Sequence, residues 1–240
     1  MNSNQNKIAM CLSGQPRTWR KCIDSWYKNV PMDDIDIFCH IWDFNSPGEP
    51  PVTGGEIDEL MGILKPKKVL VEHRKEFLPF NESQAILFDN VLSQYYGIFQ
   101  AANLKKEYEI ENFIQYKRVL RSRYDLFFNT DIRSDILCSK LPANTMMGIH
   151  YGWDPQKHLG RVGDLTWAAD SRTHDILADL YFNLCYITSD MLKTLSPEYT
   201  FFHYIKKNSI NIEIRHWDVK LYRSMFENVR GGKETNYEVW

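Results

Sequence analysis

Residues 117–131, KRVLRSRYDLFFNTD, place Arg118, Arg121, Arg123 and Asp125 inside a run that otherwise wants to leave water. Val119, Leu120, Tyr124, Leu126, Phe127 and Phe128 are residues of a buried strand, and charges in such a strand are costly unless they meet partners. Read as one strand over about 115–128, the alternation puts Arg121, Arg123 and Asp125 on one face with Val119 and Phe127. Leu120, Ser122, Tyr124 and Leu126 point the other way. Two readings follow. One is an Arg–Asp ion-pair network that ties strand to helix. The other is an anion site whose carboxylate, Asp125, helps hold a divalent cation or a sugar hydroxyl, since Mg²⁺ and Mn²⁺ take carboxylate and phosphate oxygens.

Two further groups sit where an open α/β sheet would put them at the same rim. LSGQPRTW, residues 12–19, follows an apolar strand and precedes a helix. Ser13, Gly14 and Gln15 are a turn whose backbone can approach a ligand, Arg17 offers a planar fork for phosphate or carboxylate, and the helix start adds partial positive charge. A tight turn with a surface arginine explains the same residues. CHIWDFN, residues 39–45, ends a second strand with His40, Trp42 and Asp43; Trp42 either stacks on a base or sugar ring or caps the core. Neither GxGxxG nor GxxxxGK[ST] occurs, so the dinucleotide and P-loop fingerprints are absent.

The elements that must position these groups alternate. KIAMCLS (7–13), DIDIFCHIW (34–42) and KKVLVEH (67–73) are strands, with RKCIDSWYKNV and EIDELMGIL as helices between them. This β-α-β-α-β order predicts a mostly parallel, Rossmann-type sheet flanked by helices, and its strands are continuously apolar because both faces are covered. Residues 88–110 are a long helix with Tyr95, Ile98, Phe99 and Ala102 at helical spacing. Gly97 inside it either admits a close neighbour or is tolerated at a cost of about 1 kcal/mol. Further on, 145–153 and DLTWAADS are strands, RTHDILADLYFNLCYI is a helix, and SPEYTFFHYIKKN begins a helix with Ser196 as N-cap and Pro197 at the first position. INIEIRHWDVKLYR closes the order as an alternating strand and its tail. One domain over 1–240 is the simplest organisation.

LSGQPRTW, DIFCHIWD, SQYYGIFQAANLKKEYE and YKRVLRSRYDLFF, in this order, resemble a group of small glycosyltransferase-like proteins of bacterial surface-polysaccharide clusters and of large viruses and phages. The resemblance is strongest over 8–128, with SPEYTFFHYIKKNSINIEI as a weaker later echo. It implies a GT-A-like fold, a nucleotide-binding half (1–128) and an acceptor-side half (129–240). The implied activity is transfer of a sugar from a nucleotide-sugar donor to a glycan or other hydroxyl. It implies Mn²⁺ or Mg²⁺ held through Asp125, although Arg123-Tyr124-Asp125 stands where such enzymes carry Asp-x-Asp. Ser13, Gly14, Gln15, Arg17, His40, Trp42, Arg121 and Arg123 are then the donor-binding residues. An acceptor hydroxyl needs a base or a positioning acid; Asp164 and Glu198 are the acids expected to serve, while Glu198 also complements a helix dipole. By analogy of fold, His216 and Asp218 occupy a region that often adds a metal ligand. The alternative function is a degenerate module that binds nucleotide or sugar without chemistry. A nucleotidyltransferase fits less well, because SGQPR is a poor glycine-rich phosphate loop.

Bulk properties agree with these limits. A net charge of −2 gives no basis for nucleic-acid binding. No apolar run is long enough to span a bilayer, so contact with a lipid-linked acceptor would be peripheral. The five cysteines, Cys11, Cys22, Cys39, Cys138 and Cys185, are odd in number and lack CxxC. They read as reduced and structural, and together with the lack of a visible signal peptide they predict a cytoplasmic setting in the producing or host cell.

Overall fold

The structure, a computed structural model, describes residues 7–43, 52–73, 82–149, 163–184 and 197–222. The two most apolar runs become its central strands. β1 (Ile8–Gly14) and β2 (Ile35–Trp42) pair in parallel from Ile8↔Ile35 to Gly14↔Ile41. β3 (Lys68–Glu72) joins the far side of β2, and β4 (Arg118–Ser122) the free side of β1, both parallel. With β6 (Thr145–Ile149), β7 (Trp167–Ala169) and β8 (Asn211–Arg215) the order is β3-β2-β1-β4-β7-β6-β8. Only β7 runs against its neighbours. The α/β class and the mostly parallel sheet flanked by helices are therefore as expected.

Helices cover the sheet because their apolar stripes match it. α1 (Trp19–Asn29) buries Trp19, Cys22, Ile23 and Trp26, an i, i+3, i+4, i+7 stripe. It shares one face with α2 (Gly54–Leu64), which a Thr53–Glu56 capping box starts and whose Leu60 and Leu64 point inward. The other face carries α3 (Glu82–Asn112), whose buried Ala101 and Ala102 let the helix lie close to β1; the Cys11 thiol reaches Ala101 O at 3.7 Å. α5 (Ser171–Ala178), α6 (Leu180–Asn183) and α7 (Pro197–Lys207) extend that side around Trp167, Leu177, Phe201 and Ile205. Cys11, Cys22 and Cys39 are buried free thiols, and Cys138 is an exposed one.

Several expectations are corrected. β3 is an edge strand, with Val69 44% and Val71 42% exposed, so its outer face is not covered as a continuous apolar run would require. The predicted strand over 115–128 is two strands. β4 stops at Ser122, residues 123–125 turn, and β5 (Leu126–Phe128) leaves the main sheet to pair antiparallel with β9 (Val219–Leu221). The single-face placement of Arg121, Arg123 and Asp125 fails with it. The break has a physical reason: α1 takes over the backbone of β5, with Trp26 Nε1 donating to Leu126 O at 2.6 Å and Asn29 Nδ2 to Phe128 O at 2.5 Å. The C-terminal run is likewise split between β8 and β9 around buried Trp217, whose Nε1 donates to Asp135 Oδ2 at 2.7 Å from the short α4 (Arg133–Leu137). The helix read from Arg172 starts one residue earlier, at Ser171, and breaks at Asp179 into α5 and α6. Ser196, Cys185 and the last part of the strand expected over 145–153 lie outside the described residues.

Candidate active site at the sheet reversal

The chain builds β1, β2 and β3 outward in one direction, then crosses through α3 and resumes with β4 on the other side of β1. At such a reversal the loops after the two central strands part, and a crevice opens beyond their carboxyl ends. Ser13 and Gly14 arrive there from β1, His40 and Trp42 from β2, Glu72 from β3 and Ser122 from β4; the registers Leu12↔Ser122 and Ser13↔His40 set them side by side.

Gly14 has φ +124, a conformation that strains any residue with a Cβ, although the space around it is open. The glycine thus serves the turn and not a close packing contact. Half-buried Gln15 and Arg17 follow, then Thr18, whose Oγ1 donates to Tyr222 O at 2.8 Å just beyond β9. Tyr222 N in turn donates to Asp125 O at 2.9 Å. The loop before α1, the end of β9 and the turn after β4 are thereby tied together.

At that turn Arg123 grips Asp125: Nε donates to Oδ1 and Nη2 to Oδ2, each at 2.7 Å. The Asp125 side chain is 2% exposed and that of Arg123 16%, so the guanidinium lies over the carboxylate. Arg118 is elsewhere, at the start of β4, where Nη2 donates to Ser139 O at 2.9 Å.

Arg121 faces α3. It is buried, and its Nη1 donates to Asp164 O at 2.6 Å and to Leu165 O, while Thr166 Oγ1 donates to Arg121 O at 2.8 Å. Burial pulls its pKa down to about 10 against the opposing pull of Asp164. Asp164 Oδ2 accepts from Gln94 Nε2 of α3. Beside it the Tyr95 hydroxyl donates to Pro197 O at 2.8 Å, at the start of α7. Burial first, then the negative charge of Asp164 and more weakly of Glu198, raises the Tyr95 pKa well above its usual value. The charges of Asp164 and Glu198, 34 residues apart in the chain, thus both act on one phenol.

His40 and Trp42 are buried. His40 Nε2 lies 3.1 Å from Glu72 Oε2, Tyr96 OH donates to Glu72 Oε1 at 3.1 Å, and Gln100 Nε2 donates to Tyr96 OH at 2.5 Å. Trp42 stacks on Tyr96 with centroids 5.5 Å apart, and His40 meets its edge at 4.7 Å. Of the two readings of Trp42, packing inside the protein is the one seen; the pair forms the floor of the crevice beneath β2 and α3. Glu72, Gln94, Tyr95, Tyr96, Thr18 and Tyr222 did not stand out in the sequence as site residues. Glu72 alone had a usable signal, since it ends a strand at the same rim as His40. Tyr95 read as core, and the others come from helix and tail positions with no local mark.

The residues present do not suit the divalent cation implied by the resemblance. Both oxygens of Asp125 already accept from Arg123. Among the described residues no three His, Cys, Asp or Glu side chains converge to hold a metal. His216 and Asp218 sit at the wrong end of β9: Asp218 pairs through its backbone with Asn129 and Thr130, whereas Tyr222 is the residue beside Asp125.

No family model matches the chain. No curated protein matches it either. Many solved structures are similar to it, two of them glycosyltransferases by their names. The apo form of the glycosyltransferase GlyE from Streptococcus pneumoniae TIGR4 is 10% identical with a TM-score of 0.44, covering 88% of this chain, which spans 45% of that one. The galactosyltransferase LgtC, in complex with donor and acceptor sugar analogues, is 9% identical with a TM-score of 0.48, covering 86% of this chain and 72% of its own.

Proposed function

We propose that the chain is a glycosyltransferase that moves a sugar from a nucleotide-sugar donor to a hydroxyl of a glycan or related acceptor. The observation that carries this reading is the sheet-reversal crevice itself. There the positive-φ turn at Gly14 opens into the start of α1, and Arg123 caps the tip of β4. The 1–128 half binds the donor: Ser13, Gly14, Gln15 and Arg17 take the diphosphate with Arg123, and His40 and Trp42 shape the floor under the nucleoside. The 129–240 half supplies the acceptor side.

In the reaction the bond from the sugar C1 to the diphosphate oxygen breaks with its electron pair on the diphosphate. A bond from the acceptor oxygen to C1 forms, and the acceptor proton passes to a carboxylate. Oriented cations and amide donors stabilise the charge on the departing diphosphate. In this reading Asp164, held by Gln94 and Arg121, receives the proton, and Glu198 positions the acceptor; the two hydrogen bonds that orient Asp164 support its part. The acceptor is a growing surface glycan and the setting the cytoplasm, as in the proteins the sequence resembles. No helix among the described residues is long and apolar enough to cross a membrane, and contact with a lipid-linked acceptor is peripheral.

The test is a thermal-shift panel of UDP-, GDP-, CMP- and dTDP-linked sugars, followed by assay of nucleotide release with and without acceptor. A ligand that binds only the folded state raises the midpoint by mass action. A shift for one nucleotide class with release of that nucleotide supports the transferase. A second reading, a binding module without chemistry, is favoured by the engagement of Asp125 with Arg123; it requires a shift with no release. No shift for any member of the panel rules out the donor reading.

A further inference from the structure

The misfit between Asp125 and a divalent cation has a definite geometry. A hard cation takes carboxylate oxygens at about 2.0–2.6 Å and needs the lone pairs that point out of the carboxylate plane edge. The side-on guanidinium of Arg123 already takes the chelating edge, with one N–H on each oxygen at 2.7 Å, and sets its positive charge against a cation at that edge. This is the bidentate arrangement in which arginine outperforms a point charge.

Burial gives the pair a direction. The carboxylate is the inner member and the guanidinium the outer one. A ligand entering the rim between β1 and β4 meets Arg123 first, because the chain leaves the sheet at Ser122, beside Leu12 and hence next to Ser13. A cation reaching Asp125 would have to expel the guanidinium and then repel it at short range. The turn is also braced against rearrangement through Tyr222 N on Asp125 O and Thr18 Oγ1 on Tyr222 O.

We infer that Arg123, seated on Asp125, is itself the cation that receives the donor's diphosphate, so that nucleotide binding needs no divalent metal. The inference rests on the donor-site reading given above. Asp125 is in this arrangement a positioning residue: it fixes the plane of the guanidinium.

The experiment is calorimetric titration of UDP, GDP, CDP and dTDP in EDTA and again in Mn²⁺, with a spin-resonance titration of Mn²⁺ into the protein alone. The nucleotide that binds is expected to do so within about twofold in both buffers, with no stoichiometric Mn²⁺ site; Arg123→Ala weakens it at least about tenfold, Arg123→Lys restores part, and Asp125→Asn stays within about fivefold because the guanidinium remains. A stoichiometric Mn²⁺ site that Asp125→Asn removes, or a loss of about tenfold or more in EDTA, overturns the inference while leaving the donor reading intact. If no nucleotide binds in either buffer, the donor reading falls and this inference falls with it. The buffer comparison uses the unaltered chain, so it holds even if a variant fails to fold.

Discussion

Gly97 of α3 lies against the ring of His40: a methyl group built on it would sit 3.0 Å from His40 Nδ1 and 3.5 Å from Ser13 Cβ. Of the two explanations open for this mid-helix glycine, close approach is therefore the one realised. His40 has little room to yield, being wedged among Trp42, Tyr96 and Glu72. Alanine in a helix gains about 1 kcal/mol over glycine, whereas overpacking a filled site costs about 1–3 kcal/mol. Gly97→Ala is expected to be near neutral to destabilising by about 1 kcal/mol and Gly97→Val clearly worse, about 2–3 kcal/mol, read by urea denaturation. A Gly97→Ala protein more stable than the parent would show that His40 is free to move.

The Arg123–Asp125 pair predicts an asymmetry in stability. Arg123→Ala takes two charge-assisted hydrogen bonds from a buried carboxylate, and removing one partner of a buried pair costs about 3–5 kcal/mol. Asp125→Asn keeps the shape and leaves a partly exposed guanidinium that water can reach, so its cost is expected to be smaller, about 1–2 kcal/mol. Chemical denaturation of both variants checks the order; equal losses would mean that the two side chains are similarly solvated.

In the proposed reaction Asp164 and Glu198 act on the acceptor and not on the donor. Asp164→Asn is expected to lower kcat by about 10²–10⁴ while nucleotide affinity changes little, the signature of a lost proton acceptor. Glu198→Gln is expected to raise the KM for acceptor more than it lowers kcat. A fall in nucleotide affinity with Asp164→Asn would instead assign Asp164 to holding Arg121 and the donor pocket in place.

His174 on α5 gives a pH dependence of known sign. Its imidazole is buried beside Asp175, at 3.6 Å, in a group that includes Lys105 and Glu109. Burial, aided by the Lys105 charge, lowers its pKa below the usual 6.5, with Asp175 opposing. The folded protein keeps the ring neutral while the unfolded chain protonates it near 6.5. Its contribution to stability is thus fully present above pH 6.5 and is lost as pH falls from there toward and through the folded pKa. Thermal midpoints from pH 8 to pH 5 should fall less steeply in His174→Gln than in the parent; parallel curves would mean that the ring takes up its proton as readily in the native state as in the unfolded chain.

Much of the scaffold was legible because local patterns and tertiary demands coincide there. β1 and β2 are mostly apolar and stand inside the sheet, where both faces are covered. EIDELMGIL reads as the helix that becomes α2, and the α-β alternation alone places Ser13–Arg17 and His40–Trp42 at one rim. The end of β4 was not legible. Val119–Phe128 has the composition of one strand, and only the docking of β5 on Trp26 and Asn29 of α1, and its pairing with β9 some 90 residues later, breaks it at Ser122. The partners of the charges are equally non-local. Arg121 meets carbonyls more than 40 residues away, and Asp164 meets Gln94 of α3 some 70 residues before it. Arginines and an aspartate in an apolar run announce by composition that they must be paired, since burial without partners is too costly. Which pairs form is decided by where distant segments pack, and no local spacing encodes that.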